Sequence, residues 1–227
     1  MNRSIMSGPK TSREADPEKK LDPEKKVRIK ICGITRVDDA VLAAELGADF
    51  IGLNFYPPSP RYLEIERAGE IRAAVAGRCR VVGVFVNAPR EFIAERLAVL
   101  ALDLIQFHGD EDEAVLEGWS VPTIRAIRLK PGEQGAQFPP TRADYRLLDR
   151  FDPELFGGTG RTIPLELLRG RDLSRVFISG GLTPDNVAAA VALNPYAVDV
   201  ASGVESAPGV KHDGKLRSFF RNAKFSR

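Results

Sequence analysis

From Val27 onward the chain repeats one pattern: a short apolar run, a glycine-bearing loop, an amphipathic segment, then another apolar run. The apolar runs fall at Val27–Ile31, Phe50–Leu53, Val81–Val86, Leu104–Phe107, Thr123–Ile127, Tyr145–Leu148, Val176–Ile178 and Ala197–Val200. Several are nearly continuous in apolar residues, as strands covered on both faces should be. Between them the spacing turns helical. Asp38–Leu46 sets Ala40, Val41, Ala44 and Leu46 on one face, and Arg67–Val75 and Pro89–Leu97 are spaced similarly. Thr183–Leu193 opens with Thr183 as N-cap and Pro184 at the first helical position, and Asp213–Phe220 closes the series. Eight strand–helix units in strict alternation predict an α/β fold, a single (β/α)8 TIM barrel. One irregular crossover is expected between strands five and six, because Pro131–Arg142 carries two glycines and three prolines. An open doubly wound sheet fits less well. It usually has fewer strands and often an early G-x-G-x-x-G turn, whereas the first loop here reads Cys32-Gly33-Ile34-Thr35.

Residues 1–26 stand apart. Apolar side chains almost vanish after Met6, and Asp-Pro-Glu-Lys-Lys occurs twice, at 16–20 and 22–26. Such a stretch buries too little to offset its ordering entropy, so a disordered charged tail is expected ahead of one barrel domain at 27–227. A basic binding arm is disfavoured because Asp and Glu offset much of the lysine charge. Over the whole chain 33 basic and 31 acidic side chains leave +2, no sign of a nucleic-acid partner. No apolar run approaches the ~20 residues of a membrane span, and the polar N-terminus lacks a secretory h-region. With only Cys32 and Cys79 there is no disulfide framework. A cytoplasmic location with reduced thiols is expected. So is a monomer, with a homodimer as the alternative, since no element shows an extra apolar face.

Barrel active sites form where strands end at the C-terminal face. Those ends carry Cys32-Gly33, Asn54, Gln106 with His108-Gly109-Asp110, Arg125 and Arg128, Asp149, Ser179-Gly180-Gly181, and Asp199 with Ala201-Ser202-Gly203. Reactive side chains therefore gather at one end of the sheet. The late glycines, Gly180-Gly181 ahead of a helix and Gly203 after strand eight, let backbone N–H groups approach an anion. They could also serve tight turns alone. Two independent loops at the place where barrels bind phosphate favour a phosphorylated small-molecule substrate, with the Gly157–Gly160 loop closing over it.

Read together and in order, Lys30-Ile31-Cys32-Gly33-Ile34-Thr35, Ser59-Pro60-Arg61-Tyr62, Gly83-Val84-Phe85-Val86-Asn87, Gln106-Phe107-His108-Gly109-Asp110, Leu148-Asp149, Gly157-Gly158-Thr159-Gly160, Ser179-Gly180-Gly181-Leu182 and Asp199-Val200-Ala201-Ser202-Gly203-Val204-Glu205 resemble the phosphoribosylanthranilate isomerases of tryptophan biosynthesis. The resemblance covers about 27–220. It implies an Amadori rearrangement of N-(5-phosphoribosyl)anthranilate to the 1-deoxyribulose phosphate, without metal or organic cofactor. It further implies Cys32 as general base, Asp149 as general acid, and Arg61 as the holder of the anthranilate carboxylate. A phosphate site at Gly180, Gly181, Ala201 and Ser202 is implied too, with Gln106, His108, Gly158 and Asp199 as further substrate contacts.

The residue types suit that chemistry independently. Ring opening needs a proton on the ring oxygen, and an Asp149 that holds its proton could give it. The resulting Schiff-base cation acidifies C2–H, which a thiolate at Cys32 could take. Each residue also has a plainer reading. A strand-end cysteine is commonly an inert small hydrophobe, Asp149 could cap a turn with Asp152 as the acid, and His108 could merely orient loop four. Arg61 could form a surface salt bridge, although the prolines before it suit a rigid carboxylate clamp. Cys79 is read as structural or surface. With His212 the only other histidine, a His-rich metal site is excluded. Two places depart from the family pattern. Arg161-Thr162-Ile163-Pro164 replaces Lys-Thr-Phe-Asp, and Gly209-Val210-Lys211-His212-Asp213 displaces a helix-starting acid by one. Rival readings are another phosphate-binding barrel isomerase or epimerase, and a catalytically silent phosphate-binding barrel.

Overall fold

Eight parallel strands close on one another in sequence order, each hydrogen-bonded to the next and the eighth to the first. They are β1 (Arg28–Cys32), β2 (Phe50–Asn54), β3 (Arg80–Phe85), β4 (Leu104–Phe107), β5 (Thr123–Leu129), β6 (Tyr145–Arg150), β7 (Val176–Ile178) and β8 (Ala197–Val200). Helices α1 (Val37–Glu45), α2 (Ile65–Ala74), α3 (Arg90–Leu100), α4 (Val187–Val191) and α5 (Asp213–Lys224) pack outside, and a short antiparallel pair, β9 (Glu205–Ala207) and β10 (Val210–Lys211), follows β8. This computed structural model describes residues 27–129, 138–150 and 164–224.

The near-continuous apolar runs have the cause expected of them. One set of side chains, including Ile29, Ile31, Ile51, Leu53, Ile105, Leu148 and Ile178, is buried between sheet and helices. The alternate set points inward, where Phe50, Val82, Leu104, Ile124, Ala126, Leu147, Phe177 and Ala197 fill the barrel. Phe50 and Phe177 meet across it with centroids 5.4 Å apart. The interior is thus a packed floor, and anything chemical must sit above it.

The strict alternation of strands and helices does not hold between β4 and β5. The link is a single 3-10 turn, Glu113–Leu116. Acidic residues at 110–113 with Gly118 and Pro122 keep this segment short, and it is held by the Val115 N–H donating to the Asp112 carbonyl at 2.9 Å and by Trp119 Nε1 donating to the Val115 carbonyl at 2.8 Å. Trp119 packs on Phe107 and carries Arg90 4.1 Å over its ring. The irregular crossover expected between strands five and six falls chiefly on 130–137, outside the described residues, as do the tail at 1–26 and the loop containing Gly158. Helix α4 starts at Val187, not Pro184. Thr183 and Asn186 form a turn ahead of it, in which Thr183 N–H donates to Asn186 Oδ1 at 2.8 Å and Asn186 N–H to the Thr183 carbonyl at 3.3 Å.

Loops seven and eight lie in backbone contact. A Cβ at Gly203 would fall 1.8 Å from the Leu182 carbonyl oxygen. Gly203→Ala must push the two loops apart, and a loss of about 1–3 kcal/mol is expected for such overpacking. Thermal denaturation of the variant checks it, and an unchanged melting temperature would show that the loops yield freely.

Candidate active site

Parity inside the barrel decides which side chains reach the upper end. Register pairs Cys32 with Gly52, Asn54 with Val84, Val84 with Gln106, Arg128 with Asp149, and Lys30 with Asp199. All share the inward set with the apolar floor, so continuing each strand upward places polar groups over Phe50 and Phe177. There Cys32, Asn54, Val84, Gln106, Asp149 and Asp199 line a cavity of about 390 Å³, whereas Arg128 lines a separate pocket with Arg125. Of the residues expected from sequence, the cavity brings together Cys32, Arg61, Gln106, His108, Asp149, Asp199 and Ala201. Gly180, Gly181 and Ser202 stand in the adjoining loops without lining it. Asp149 is the penultimate residue of β6.

The floor of one wall is charged. Lys30, wholly buried, donates to Asp199 Oδ1 at 2.9 Å, and Ser179 Oγ donates to Asp199 Oδ2 at 3.2 Å. Gly52 makes the room. A Cβ there would lie 2.7 Å from Cys32 Sγ and 3.3 Å from Lys30 Nζ, so thiol and ammonium crowd the same glycine. Burial pushes the Cys32 thiol above its ordinary value, although Lys30 pulls it down. Burial works to lower the Lys30 ammonium, but Asp199 and Cys32 together outweigh it and hold it above the usual lysine range. Cys79 differs: burial drives it to about 11, and it sits in the core outside the barrel.

On the opposite wall His108 Nε2 lies 3.2 Å from Asp149 Oδ2, off the line of a hydrogen bond. Gln106 Nε2 approaches His108 Nδ1 at 2.8 Å. With the amide donating, a neutral ring carries its proton on Nε2, facing Asp149. Cys32 and Asp149 stand on β1 and β6, three steps apart around a ring of eight, and so face each other across the cavity. Among the described residues no group of three or more His, Cys, Asp or Glu could hold a metal ion.

Arg61 reaches the rim across the end of β1, where a Cβ on Gly33 would fall 2.4 Å from its Cδ. Its Nε and Nη2 donate to Glu205 Oε1 and Oε2 at 2.9 and 2.6 Å, and Lys211 Nζ adds a 2.7 Å bond to Oε1. This ion pair is largely buried, unlike a surface salt bridge. Lys30, Glu205 and Lys211 escaped the sequence-level site. The signal for Lys30 was available: a lysine two residues before Cys32 in an apolar parallel strand must share its inward face. The displaced acid, Asp213, is the first residue of α5, and His212 ahead of it takes the capping role, its Nδ1 accepting the Lys215 N–H at 3.3 Å.

For phosphate, Gly180 and Gly181 both have φ of +75°, the left-handed region glycine tolerates best, and Gly203 brings loop eight against loop seven. Helix α4 is only five residues long and starts six residues after Gly181, later than the start at Pro184 that the sequence suggested. Any anion at these loops would rest on backbone N–H groups.

The sequence profile of the family described as N-(5'phosphoribosyl)anthranilate (PRA) isomerase matches residues 29–222. The chain belongs to that family. It is 45% identical over 203 residues to the N-(5'-phosphoribosyl)anthranilate isomerase of a Pseudomonas fluorescens strain, covering 88% of this chain and 97% of the relative. With the Pseudomonas aeruginosa enzyme of the same name it shares 47% over 199 residues, 85% of this chain and 93% of the relative. The crystal structure of the phosphoribosyl anthranilate isomerase of Thermus thermophilus superposes with a TM-score of 0.79 at 38% identity, covering 88% of this chain and all of that one. A phosphoribosyl anthranilate isomerase solved in complex with reduced 1-(o-carboxyphenylamino)-1-deoxyribulose 5-phosphate superposes with a TM-score of 0.69 at 32% identity, covering 87% and 98%.

The buried thiol sets a test of the site's electrostatics. Iodoacetamide should alkylate Cys32 more slowly than free cysteine at pH 7, with a pH midpoint above that of an exposed thiol, because only the thiolate reacts. Lys30→Met should move that midpoint further up. Mass spectrometry of the Cys32 peptide reads both, and a downward shift in the variant would contradict the Lys30 assignment.

Proposed function

We propose that the barrel isomerises N-(5'-phosphoribosyl)anthranilate to 1-(o-carboxyphenylamino)-1-deoxyribulose 5-phosphate, the Amadori step of tryptophan biosynthesis, with Asp149 as acid and Cys32 as base. The observation that carries the assignment is their placement on facing walls of one cavity above the barrel floor. The reaction needs two proton transfers at different atoms of one sugar, so two groups approaching from opposite sides suit it.

Asp149 delivers a proton to the ring oxygen as the C1–O bond breaks, and the anthranilate nitrogen shares its lone pair to form the Schiff-base cation. His108, 3.2 Å from the carboxylate, steadies Asp149 once it has given up its proton. The Cys32 thiolate then takes the C2 proton, and the C2–H electrons neutralise the cation to give an enolamine. Protonation at C1 and loss of the proton from the C2 hydroxyl yield the ketone, so no proton is gained or lost overall. Burial raises the Cys32 thiol and Lys30 lowers it, and the fraction already ionised when substrate binds is the form that acts as base.

Arg61 holds the anthranilate carboxylate at the rim. Gly180, Gly181, Ala201 and Ser202 receive the phosphate through backbone N–H groups, and Gln106, Asp199 and Gly158 are the further substrate contacts. The reaction as written calls for no metal or organic cofactor. Among the described residues no helix is long and apolar enough to cross a membrane. Cytoplasmic residence as a monomer is part of the same proposal.

Purified protein should turn over phosphoribosylanthranilate at an undiminished rate in excess EDTA. Cys32→Ala and Asp149→Ala should each lower kcat by about 100-fold or more, the usual size of an acid–base contribution. Steady-state fluorescence assays measure all three. Near wild-type turnover in Asp149→Ala would eliminate it as the acid, and loss of activity to the chelator would move the chain to a metal-dependent class.

A further inference from the structure

Behind the cavity wall, Glu205 and Lys211 form a charged hub that the proton transfers do not use. Neither lines the cavity. The Lys211 ammonium is wholly buried and has three acceptors: Glu205 Oε1 at 2.7 Å, the Cys32 carbonyl at 2.6 Å and the Ala201 carbonyl at 3.3 Å. An ammonium has three protons, so each is committed and the head group cannot turn elsewhere. Its backbone is fixed as well, with the Lys211 N–H donating to Asp39 Oδ2 at 2.9 Å. Glu205 is held in turn by Lys211 and by the Gly209 N–H, 3.3 Å from Oε1.

Against this anchored carboxylate Arg61 lays one edge of its guanidinium, Nε and Nη2. A guanidinium carries two forked edges, each matched to a carboxylate. The second edge, bearing Nη1, makes no hydrogen bond to the described residues, and Arg61 lines the cavity. A long arginine left unpaired would lose rotamer freedom on binding. Here that freedom is already gone before substrate arrives.

We propose that Glu205, fixed by Lys211, is a positioning residue that presents the free edge of Arg61 to the carboxylate on the substrate's aryl ring. Through the Cys32 carbonyl, Lys211 ties this clamp to the backbone of the base, so ring and sugar are registered from one buried point. The inference rests on Arg61 as the carboxylate's ligand, and the test separates the two.

Two ligands are compared by calorimetry: reduced 1-(o-carboxyphenylamino)-1-deoxyribulose 5-phosphate and its analogue lacking the carboxyl group. The wild-type protein should prefer the first by about 100-fold, as a charge-assisted bidentate contact would give. Glu205→Gln should shrink the preference to about tenfold or less, and raise KM about tenfold with kcat within about threefold. Because the ratio is taken within one variant, a partly unfolded sample leaves it unchanged. Arg61→Met should erase the preference. If Arg61→Met erases it and Glu205→Gln does not, or weakens both ligands equally, the positioning role is refuted while Arg61 stands. If Arg61→Met leaves it intact, the carboxylate assignment itself is overturned. Lys211→Met should lower kcat as well as raise KM, since it also frees the Cys32 carbonyl. An unchanged kcat would refute the link to the base.

Discussion

A buried ammonium and a buried carboxylate, Lys30 and Asp199, meet at 2.9 Å where the last barrel strand joins the first. Either charge alone inside the barrel would cost several kcal/mol, because nothing in a packed interior replaces water. Together they tie β1 to β8 in one register. A one-residue slip would turn Lys30 outward and send an apolar side chain up into the site. The same pair sets the surroundings of Cys32, the next inward position on β1. Much of the chemistry is therefore a consequence of how the seam is closed.

The fold was legible because a closed parallel barrel imposes an unusual pattern. Strands buried on both faces read as short apolar runs, and all eight runs correspond to observed strands within a residue or two. The β4–β5 link was less legible. Glu113–Leu116 looks like the start of a helix, but Gly118 and Pro122 leave too little chain to extend it, and Trp119 does the covering instead. The strand ends gather at one face, and seven of the expected site residues, together with the strand-end Gly33, Asn54 and Ser179, line one cavity there. Glu205 and Lys211 were harder to see. They lie on a small hairpin after the last barrel strand, and their partners are about 140 to 180 positions away in sequence, as the Arg61–Glu205 and Cys32–Lys211 bonds show. Local spacing carries no trace of such a contact.

The glycine after Cys32 illustrates why short motifs in this chain look arbitrary until folded. Gly33 is followed by Ile34, which is buried, and Thr35, whose hydroxyl donates to the Gly209 carbonyl at 2.5 Å. The bare face of Gly33 carries the stem of Arg61. Each position in Cys32-Gly33-Ile34-Thr35 thus answers to a different remote element: the barrel interior, the rim arginine, the outer core and the terminal hairpin.

The hub built on Lys211 also imposes an order on biosynthesis. A growing chain that has emerged through β6 already carries Cys32, Arg61 and Asp149, yet it has none of Asp199, Glu205 and Lys211. At that stage Lys30 has no counter-charge, Arg61 has no anchor, and the first strand has no neighbour on one side. Cys32 and Asp149 coexist on the ribosome well before the barrel can close around them. Competence arrives with the final hairpin, so premature release of a truncated chain yields a protein that holds the reactive side chains but lacks the frame that aligns them.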